Sequence, residues 1–539
     1  NRSFIDSKTF DGFRKTVQRE FDEIYIIDTK SDVRQNPKIA GTTHNIFGIQ
    51  TGVAITFLVK KDSPTNQEKN AKIFYYTLTD EMRKEEKLIF LRENELNTIP
   101  FERIHPDEQG NWINLSNSDF QNLIPLCNKE VKLNKNEQND NAVFKLFSLG
   151  VVTARDEWVY DFNKQRLKSK VQFLIDKYNQ EVKRLKGIDK AEVKDKIEYS
   201  IKWTRAVKND LAKGKIYDFD EQNITTSLYR PFVKKYLYYA KELNEMQYQM
   251  PKVFGNRNQF QNKVSSRSKF NNKIICFVNV GNSKSFHTLA SSNIVDLHFT
   301  GDSQCLPLYY YDKLGNCKDN ITDWALNLFQ NYYAKSNDRT ISKEDIFHYV
   351  YAVLHKPEYR AKYALDLKRN LPRIPLYADF WHYATIGKEL MNLHLTYDSI
   401  NADFVAQQLG ISVERKARKA VEPKRNTTNA DTNTQSETTA LKNKLLQTEV
   451  KLRLKDKQIE IDEWTTLRPI PDEVYEYKLG NRTAVEWVLE QYKPYKSSDA
   501  TIQEKFNTYN FYDYKEQVIE LLLQVIYVSV QTVKLVRSL

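Results

Sequence analysis

The stretch Thr226–Tyr311 decides how this 539-residue chain is read. It opens with TSLYRPFVKKYLYY (226–239), passes through VFGNRNQFQNKVSSRSKF (253–270), continues as KIICFVNVGNSKSFHTLASSNIVDLHF (273–299) and closes with QCLPLYYY (304–311). Its first part alternates Tyr229, Phe232, Tyr236, Tyr238 and Tyr239 with Arg230, Lys234 and Lys235. That pattern offers ring faces for stacking together with cations for phosphate, the combination nucleic-acid grooves use. Tyrosine-rich strands with lysines on their outer face are also ordinary sheet edges, so local composition leaves both readings open. The pieces around 273–291 read as two strands joined by a turn at Gly281.

Outward from this stretch, the chain divides by composition. Toward the N-terminus, DGFRKTVQREF (11–21) places Phe13, Val17 and Phe21 at helical spacing, and EIYIID (23–28), NIFGIQTGVAITFLVKKD (45–62) and AKIFYYTL (71–78) read as strands, the edge of an α/β sheet with one crossover helix. Between Lys164 and Lys215, sixteen Lys and Arg face seven Asp and Glu, so this stretch carries +9 of the chain's +12. Val171, Leu174, Ile175 and Tyr178 recur at helix spacing there, and Gly187 interrupts, giving a basic α-hairpin: either a solvated face or an arm along a phosphate backbone.

Downstream, Ser342 followed by Asp345 marks a capping-box helix start, and Pro357 marks its end. Residues 412–440, polar and rich in Asn and Thr, read as a disordered linker or insertion. EVKLRLKDKQIEID (449–462) alternates apolar and charged residues on both sides of KDKQ and reads as a β-hairpin, and YKEQVIELLLQVIYVSVQTVKLV (514–536) as a long apolar helix. The fold class is therefore mixed α/β and α+β. The expected organisation is 1–125, an incomplete α/β sheet; 126–215, a connector and basic arm; 216–411, strands then helices; 412–440, linker; and 441–539, a hairpin and helices.

A pI near 9.0 points to a polyanionic partner. Cys127, Cys276, Cys305 and Cys317 form no CxxC pair and suggest reduced, intracellular thiols, and the histidines lack HxxxH spacing, so no metal is expected. With no run of eighteen apolar residues and no leader, the reading is a cytoplasmic chain with no membrane partner. The chain starts at Asn1, without an initiator methionine and directly in a core-like pattern, which suggests a folded region upstream.

Several segments together resemble the C-terminal part of type ISP restriction-modification enzymes: SLYRPF, IVDLHFTGDSQCLPLYYY, ISKEDIFHYVYAVLHKPEYRAKYALDLKRNLPRIPL, and YKLGNRTAVEWVLEQYK with the closing helix, in family order over most of 220–539. In that family one polypeptide carries a nuclease, a helicase-like ATPase motor, an adenine-N6 DNA methyltransferase and a target recognition domain, a set that serves phage defence. Residues 1 to about 100 resemble the last strands of the methyltransferase, so the resemblance implies a partial Rossmann-like methyltransferase sheet, a helical arm and an α+β target recognition domain. It also implies that Phe47 stacks on the flipped target adenine; a buried strand-edge aromatic is the alternative.

The methyl-donor glycine turn and the Asn/Asp-Pro-Pro-Tyr/Phe motif of that family are missing, as are a GxxxxGK[ST] loop and a nuclease carboxylate set. The resemblance therefore implies that S-adenosylmethionine, and ATP with Mg for any motor, belong to upstream methyltransferase, helicase and nuclease domains of the same polypeptide or a separate subunit. This chain alone is expected to bind no cofactor and to be inactive. In double-stranded DNA recognition, Arg230, Lys234, Lys235, Arg257, Lys263, Arg267 and Lys269 would hold phosphates, and Asn279, Asn282, Ser283 and Lys284 would reach base edges. A protein-binding scaffold with only nonspecific DNA affinity is the competing reading, and an intact enzyme of unrelated chemistry a third that lacks any nucleophile–base constellation.

Overall fold

EIYIID forms a strand at Glu23–Asp28 in the computed structural model, which describes residues 2–32, 43–61, 70–107, 110–113, 119–128, 141–189, 192–255, 272–334, 339–416 and 449–539. This strand centres a four-stranded sheet in the order Ala54–Val59, Glu23–Asp28, Lys72–Thr77, Glu102–Ile104. Ile24 lies opposite Leu58 in an antiparallel register and beside Ile73 in a parallel one. Among the described residues the connection within the parallel pair holds the antiparallel strand Ala54–Val59 and no helix, and the sheet is mixed.

Ile24, Ile26 and Ile73 pack with Ile5, Val17 and Trp112 to form the core. The helix Asp11–Glu20 does precede the first strand. Of its expected apolar face, Val17 is buried while Phe13 is 53% exposed. Arg14 takes the inward place: wholly buried, its guanidinium donates to the carbonyls of Gly110 (2.9 Å), Phe4 (3.0 Å) and Ser7 (2.8 Å). A pattern search for apolar residues has no means of finding such a residue, because carbonyl oxygens rather than hydrocarbon receive it.

This first compact unit comprises Asn1–Leu123, Val280–Ser285 and Arg360–Arg373; the second comprises Ile124–Asn279, Phe286–Tyr359 and Ile374–Leu539. In the second unit the stretch quoted first supplies two sheets. Ile224–Arg230 and Val233–Tyr238 pair as a hairpin, flanked by Ile294–Val295 and Tyr160–Asp161. Ile274–Phe277 pairs with Thr288–Ser291 on one side and Gln304–Pro307 on the other, and all three strands are buried on both faces. Such two-sided burial is why Ile274–Phe277 reads as a continuous apolar run, whereas its neighbours bury the polar Thr288, Ser291 and Gln304 as well.

Ser342 caps the helix Lys343–His355 in a capping box with Asp345, as its spacing predicts, and the helix stops before Pro357. The strands Val450–Lys455 and Gln458–Asp462 form the expected hairpin, turning at Asp456 and Lys457, which have φ of 50° and 57°. Two residues with positive φ are what a tight right-twisting hairpin loop demands. A boundary shifts in the same sheet: Ser412–Arg415, assigned to the linker from composition, is a strand paired with Thr465–Arg468. Val413 opposite Leu467 provides the reason, an apolar contact too isolated in sequence to read as a strand. Residues 417–440 of that linker lie outside the described residues.

The closing helix, Lys515–Arg537, is long and apolar enough to cross a membrane, but most of its apolar length is buried inside the protein. Val518, Leu522, Val525 and Ile526 lie in the core of the second unit, so here the apolar length serves a core helix.

Candidate nucleic-acid interface

The Phe47 loop belongs to the first unit and is shaped by a side chain the sequence reading passed over. Asn45 is 1% exposed. Its Oδ1 accepts from the backbone N–H of Phe47 (3.0 Å) and Ile49 (3.4 Å), and its Nδ2 donates to the carbonyls of Thr51 (2.8 Å) and Ser31 (3.3 Å). Gly48, with φ of 67°, makes the reversal. With Asn45 holding the turn from inside, Phe47 stands 67% exposed and Ile49 46% exposed beside it.

Beneath the loop, the strand Glu23–Asp28 ends at a buried carboxylate bound by Arg2 Nε (2.9 and 3.0 Å) and by the Tyr75 hydroxyl (2.8 Å). Lys87 reaches in to the Thr29 carbonyl (2.8 Å) and to the Ser31 hydroxyl; burial lowers its pKa. The exposed ring therefore sits on an ordered base in which the polar groups are satisfied.

The cations of the central hairpin are placed differently from the sequence expectation. Arg230 pairs with Asp296 (2.5 Å) and lies over the Tyr229 ring at 4.0 Å. Lys234 pairs with Asp398 (2.5 Å). Lys235 lies over two rings, Tyr229 at 4.0 Å and Phe162 at 4.7 Å, and among the described residues it has neither carboxylate nor hydrogen-bond partner. Arg230 and Lys234 thus spend their charge inside the second unit. The physical reason is that a ring face attracts a cation from its own sheet as readily as it stacks on a base.

Burial, reinforced by Arg230 and Lys170, pushes the Lys235 ammonium down to about 7, against which Asp156 and Asp161 pull upward. A folded pKa below the unfolded one means the fold disfavours the charged form. The resulting cost is full below about pH 7 and is relieved as pH rises toward the ordinary lysine range near 10.5. Lys235→Met should therefore raise stability by about 1–2 kcal/mol near pH 6 and by almost nothing near pH 10, read from denaturant unfolding at the two pH values. Equal gains at both would show that the ammonium is not desolvated.

Arg257, Lys263, Arg267 and Lys269 lie outside the described residues. Asn279 is in the second unit, its N–H donating to the Gly301 carbonyl (3.2 Å). Asn282, Ser283 and Lys284 fall in Val280–Ser285, which belongs to the first unit, where the Gly281 N–H donates to the Lys368 carbonyl (2.9 Å). Asn282 Oδ1 accepts from the Lys284 N–H (3.0 Å), so Asn282 shapes the loop while Ser283 is exposed.

The basic stretch is a 21-residue helix, Lys164–Arg184, and then short turns up to the helix Arg205–Ala212 rather than a second long limb. Many of its charges are matched locally: Lys170 and Arg166 bind Asp161 (2.8 and 2.9 Å), Lys168 binds Glu221 (2.8 Å) and Arg184 binds Glu181 (2.6 Å). It is part of the second unit's core through Leu167, Val171, Leu174 and Tyr178.

One feature escaped the sequence reading altogether: a cleft of about 710 Å³ in the second unit, lined from separated stretches around 206–215, 241–252 and 311–313. Among the described residues no group of three or more His, Cys, Asp and Glu is placed to hold a metal.

A family profile described as the Type ISP C-terminal specificity domain matches residues 142–521. No curated protein is matched. Among solved structures, the fold is similar over the whole chain to the DrdV–DNA complex, at 39% identity and a TM-score of 0.84 over 50% of that chain. It is similar, again over the whole chain, to a nuclease-deletion mutant of the Type ISP restriction-modification enzyme LlaGI in complex with a DNA substrate mimic, at 30% identity and a TM-score of 0.75 over 38% of that chain. The ATP-dependent Type ISP restriction-modification enzyme LlaBIII bound to DNA matches the whole chain at 29% identity and a TM-score of 0.76 over 32% of its own length. The chain thus spans half or less of the length of each of these relatives. With the profile covering well over half of its residues and the fold matching from end to end, this chain belongs to the family of Type ISP C-terminal specificity domains.

Proposed function

We propose that this chain recognises a short sequence in double-stranded DNA for an adenine-N6 methyltransferase with restriction activity, acting in the cytoplasm. The observation that carries the reading is the specificity-domain match over 142–521 together with end-to-end similarity to relatives solved on DNA. In this reading the first unit is the end of the methyltransferase sheet, and Phe47 receives the extruded adenine. A base taken out of the stack needs a new ring face, worth about 1–3 kcal/mol, and a ring held out by Asn45 has little mobility left to lose.

Two observations support placing the methyl-donor site outside this chain. The Asp28 carboxylate at the end of the central strand is enclosed by Arg2 and Tyr75 rather than presented to a ligand, and the Asn/Asp-Pro-Pro-Tyr/Phe motif is absent from the sequence. S-adenosylmethionine, and ATP with Mg for a motor, are assigned to other domains of the same polypeptide or to a separate subunit.

The test is selection from random duplex DNA followed by binding of the recovered motif with its adenine paired or mispaired. Enrichment of one asymmetric motif containing an adenine is expected, as is tighter binding of the mispaired duplex, because a mispaired base costs less to extrude. Phe47→Ala should abolish that preference and leave the motif unchanged. Binding without enrichment would favour a protein-binding scaffold with nonspecific DNA affinity.

A further inference from the structure

Four lysines and four carboxylates line the cleft in the second unit, but they are unevenly paired. Each carboxylate that lines it is already engaged. Asp210 and Glu242 share Lys215 (3.4 and 3.3 Å), and the Tyr217 hydroxyl also donates to Asp210 (3.1 Å). Glu245 accepts from the Thr204 hydroxyl (2.7 Å) and faces the buried Arg155 guanidinium (3.7 Å). Asp312 accepts from the backbone N–H groups of Leu314 (2.8 Å) and Asn316 (2.9 Å) and from the Asn316 side chain (3.0 Å). The remaining lysines of the lining, Lys241, Lys252 and Lys313, are exposed and have no ion pair among the described residues. They come from three different elements, a loop, a short helix and a hairpin turn, so neither a helical stripe nor a run in sequence accounts for their meeting.

The apolar wall of the cleft is tied into the fold by hydrogen bonds. Met246 exchanges backbone hydrogen bonds with Val152 (2.9 and 3.0 Å), and buried Asn244 donates to the Tyr238 carbonyl (3.1 Å). Two residues beyond Met246, Tyr248 adopts a left-handed φ of 49°, which costs a non-glycine residue energy and persists where the surroundings enforce it. The result displays Met246 (46% exposed) and Tyr248 (38% exposed) into the cleft between the free lysines. Three exposed lysines without ion pairs, set around Met246 and Tyr248, suit a DNA backbone, whose phosphate oxygens the ammonium groups can hold while deoxyribose carbons lie on the apolar wall.

We propose that this cleft is a phosphate clamp: Lys241, Lys252 and Lys313 hold the backbone of the duplex and set the register in which the recognition surface meets it, without reading bases. The inference rests on the DNA-recognition reading above and adds a surface to it. Of the cations chosen from the sequence, the described ones, Arg230, Lys234, Lys235 and Lys284, do not line this cleft.

The test measures equilibrium binding of the whole chain to the selected duplex and to a scrambled one over a range of salt concentrations. For the triple variant Lys241→Ala, Lys252→Ala, Lys313→Ala, the slope of log affinity against log salt should fall by about 3, close to one unit per phosphate contact, and equally on both duplexes. The motif recovered by selection should not change, and the triple Lys→Arg variant should keep the parent slope. An unchanged slope in the alanine variant, with the parent binding DNA normally, overturns the clamp and leaves the recognition reading standing. A fall confined to the selected duplex overturns the positioning role. A parent chain that binds no duplex at all overturns both. Coincident unfolding transitions of parent and variants keep a folding defect from passing as a lost contact.

Discussion

Gly387→Ala is expected to destabilise the second unit by about 3 kcal/mol or more, although alanine is the better helix former. Gly387 lies in the helix Phe380–Leu395, packed directly on Lys343–His355. A Cβ built there would lie 1.9 Å from the His348 carbonyl oxygen, 2.7 Å from its carbon and 3.2 Å from the Ala352 Cβ. Backbone cannot rotate out of the way as a flexible side chain can. The helices would have to separate, opening gaps around Val350, Leu354, Leu390 and Met391, all fully buried. The His348 ring cannot compensate by gaining charge: burial holds its pKa down to about 4, and among the described residues its Nε2 has no hydrogen-bond partner, Glu344 standing 4.0 Å away.

Gly12 provides the internal control. It also lies in a helix, Asp11–Glu20, but has nothing within 4 Å of its added Cβ. Gly12→Ala should therefore stabilise by up to about 1 kcal/mol. Urea midpoints for the two variants, at unchanged denaturant dependence, should move in opposite directions. A Gly387→Ala chain as stable as the parent would mean the helix contact is looser than described.

The second large effect concerns Asp296. Its carboxylate is Arg230's ion-pair partner, and the side chains are 3% and 15% exposed. Asp296→Ala leaves a guanidinium in the interior without its paired carboxylate, an expected loss of about 3–5 kcal/mol. Replacing both partners with apolar residues of similar volume should recover most of that loss, because the desolvation cost disappears with the charges.

Acidity adds an independent signature. Burial raises the Asp296 carboxyl to about 6 from the ordinary 3.8, outweighing the opposing pull of Arg230. A raised folded pKa means that the stability this group contributes is fully present below pH 3.8 and is lost as pH rises through about 6. Asp296→Asn should flatten the stability profile in that window even while lowering it overall. A parent profile with no downward component there would show that Asp296 is charged throughout.

The sequence disclosed local regularities wherever one element carried its own signal. Ser342 and Asp345 announce a helix start because both capping partners lie within one turn. The two-residue turn at Asp456 and Lys457 announces a hairpin because the alternation on either side is strict. What escaped was decided by partners distant in sequence. Asn45 reads as a polar loop residue until Ser31 and Thr51 close on it, and the cleft exists only where three separated stretches meet.

The cations of the central hairpin are the instructive case. Arg230 and Lys235, beside Tyr229 and near Phe162, have the composition of a nucleic-acid groove, and the same attraction is satisfied within the sheet. Interleaved rings and charges thus announce an interaction without saying whether its other half is a ligand or the protein itself. Charge with no internal partner is the better sign, and only the folded chain reveals it.

The first unit is assembled from Asn1–Leu123 and two short segments borrowed from far along the chain, Val280–Ser285 and Arg360–Arg373. Within it, the Lys362 ammonium and the Tyr363 hydroxyl bind Asp119 (2.9 and 2.8 Å), and Arg373 donates to the carbonyls of Gln121 and Leu123 (3.0 Å each). A single cut near residue 123 therefore cannot exchange one unit of this chain intact. A chimera joined near residue 123 would pair one parent's N-terminal unit with another parent's borrowed segments, and the mismatch would fall on these contacts. Exchange of recognition between relatives should succeed only when both borrowed segments come from the parent of the N-terminal unit, so crossovers that persist should fall on either side of those segments as well as near residue 123.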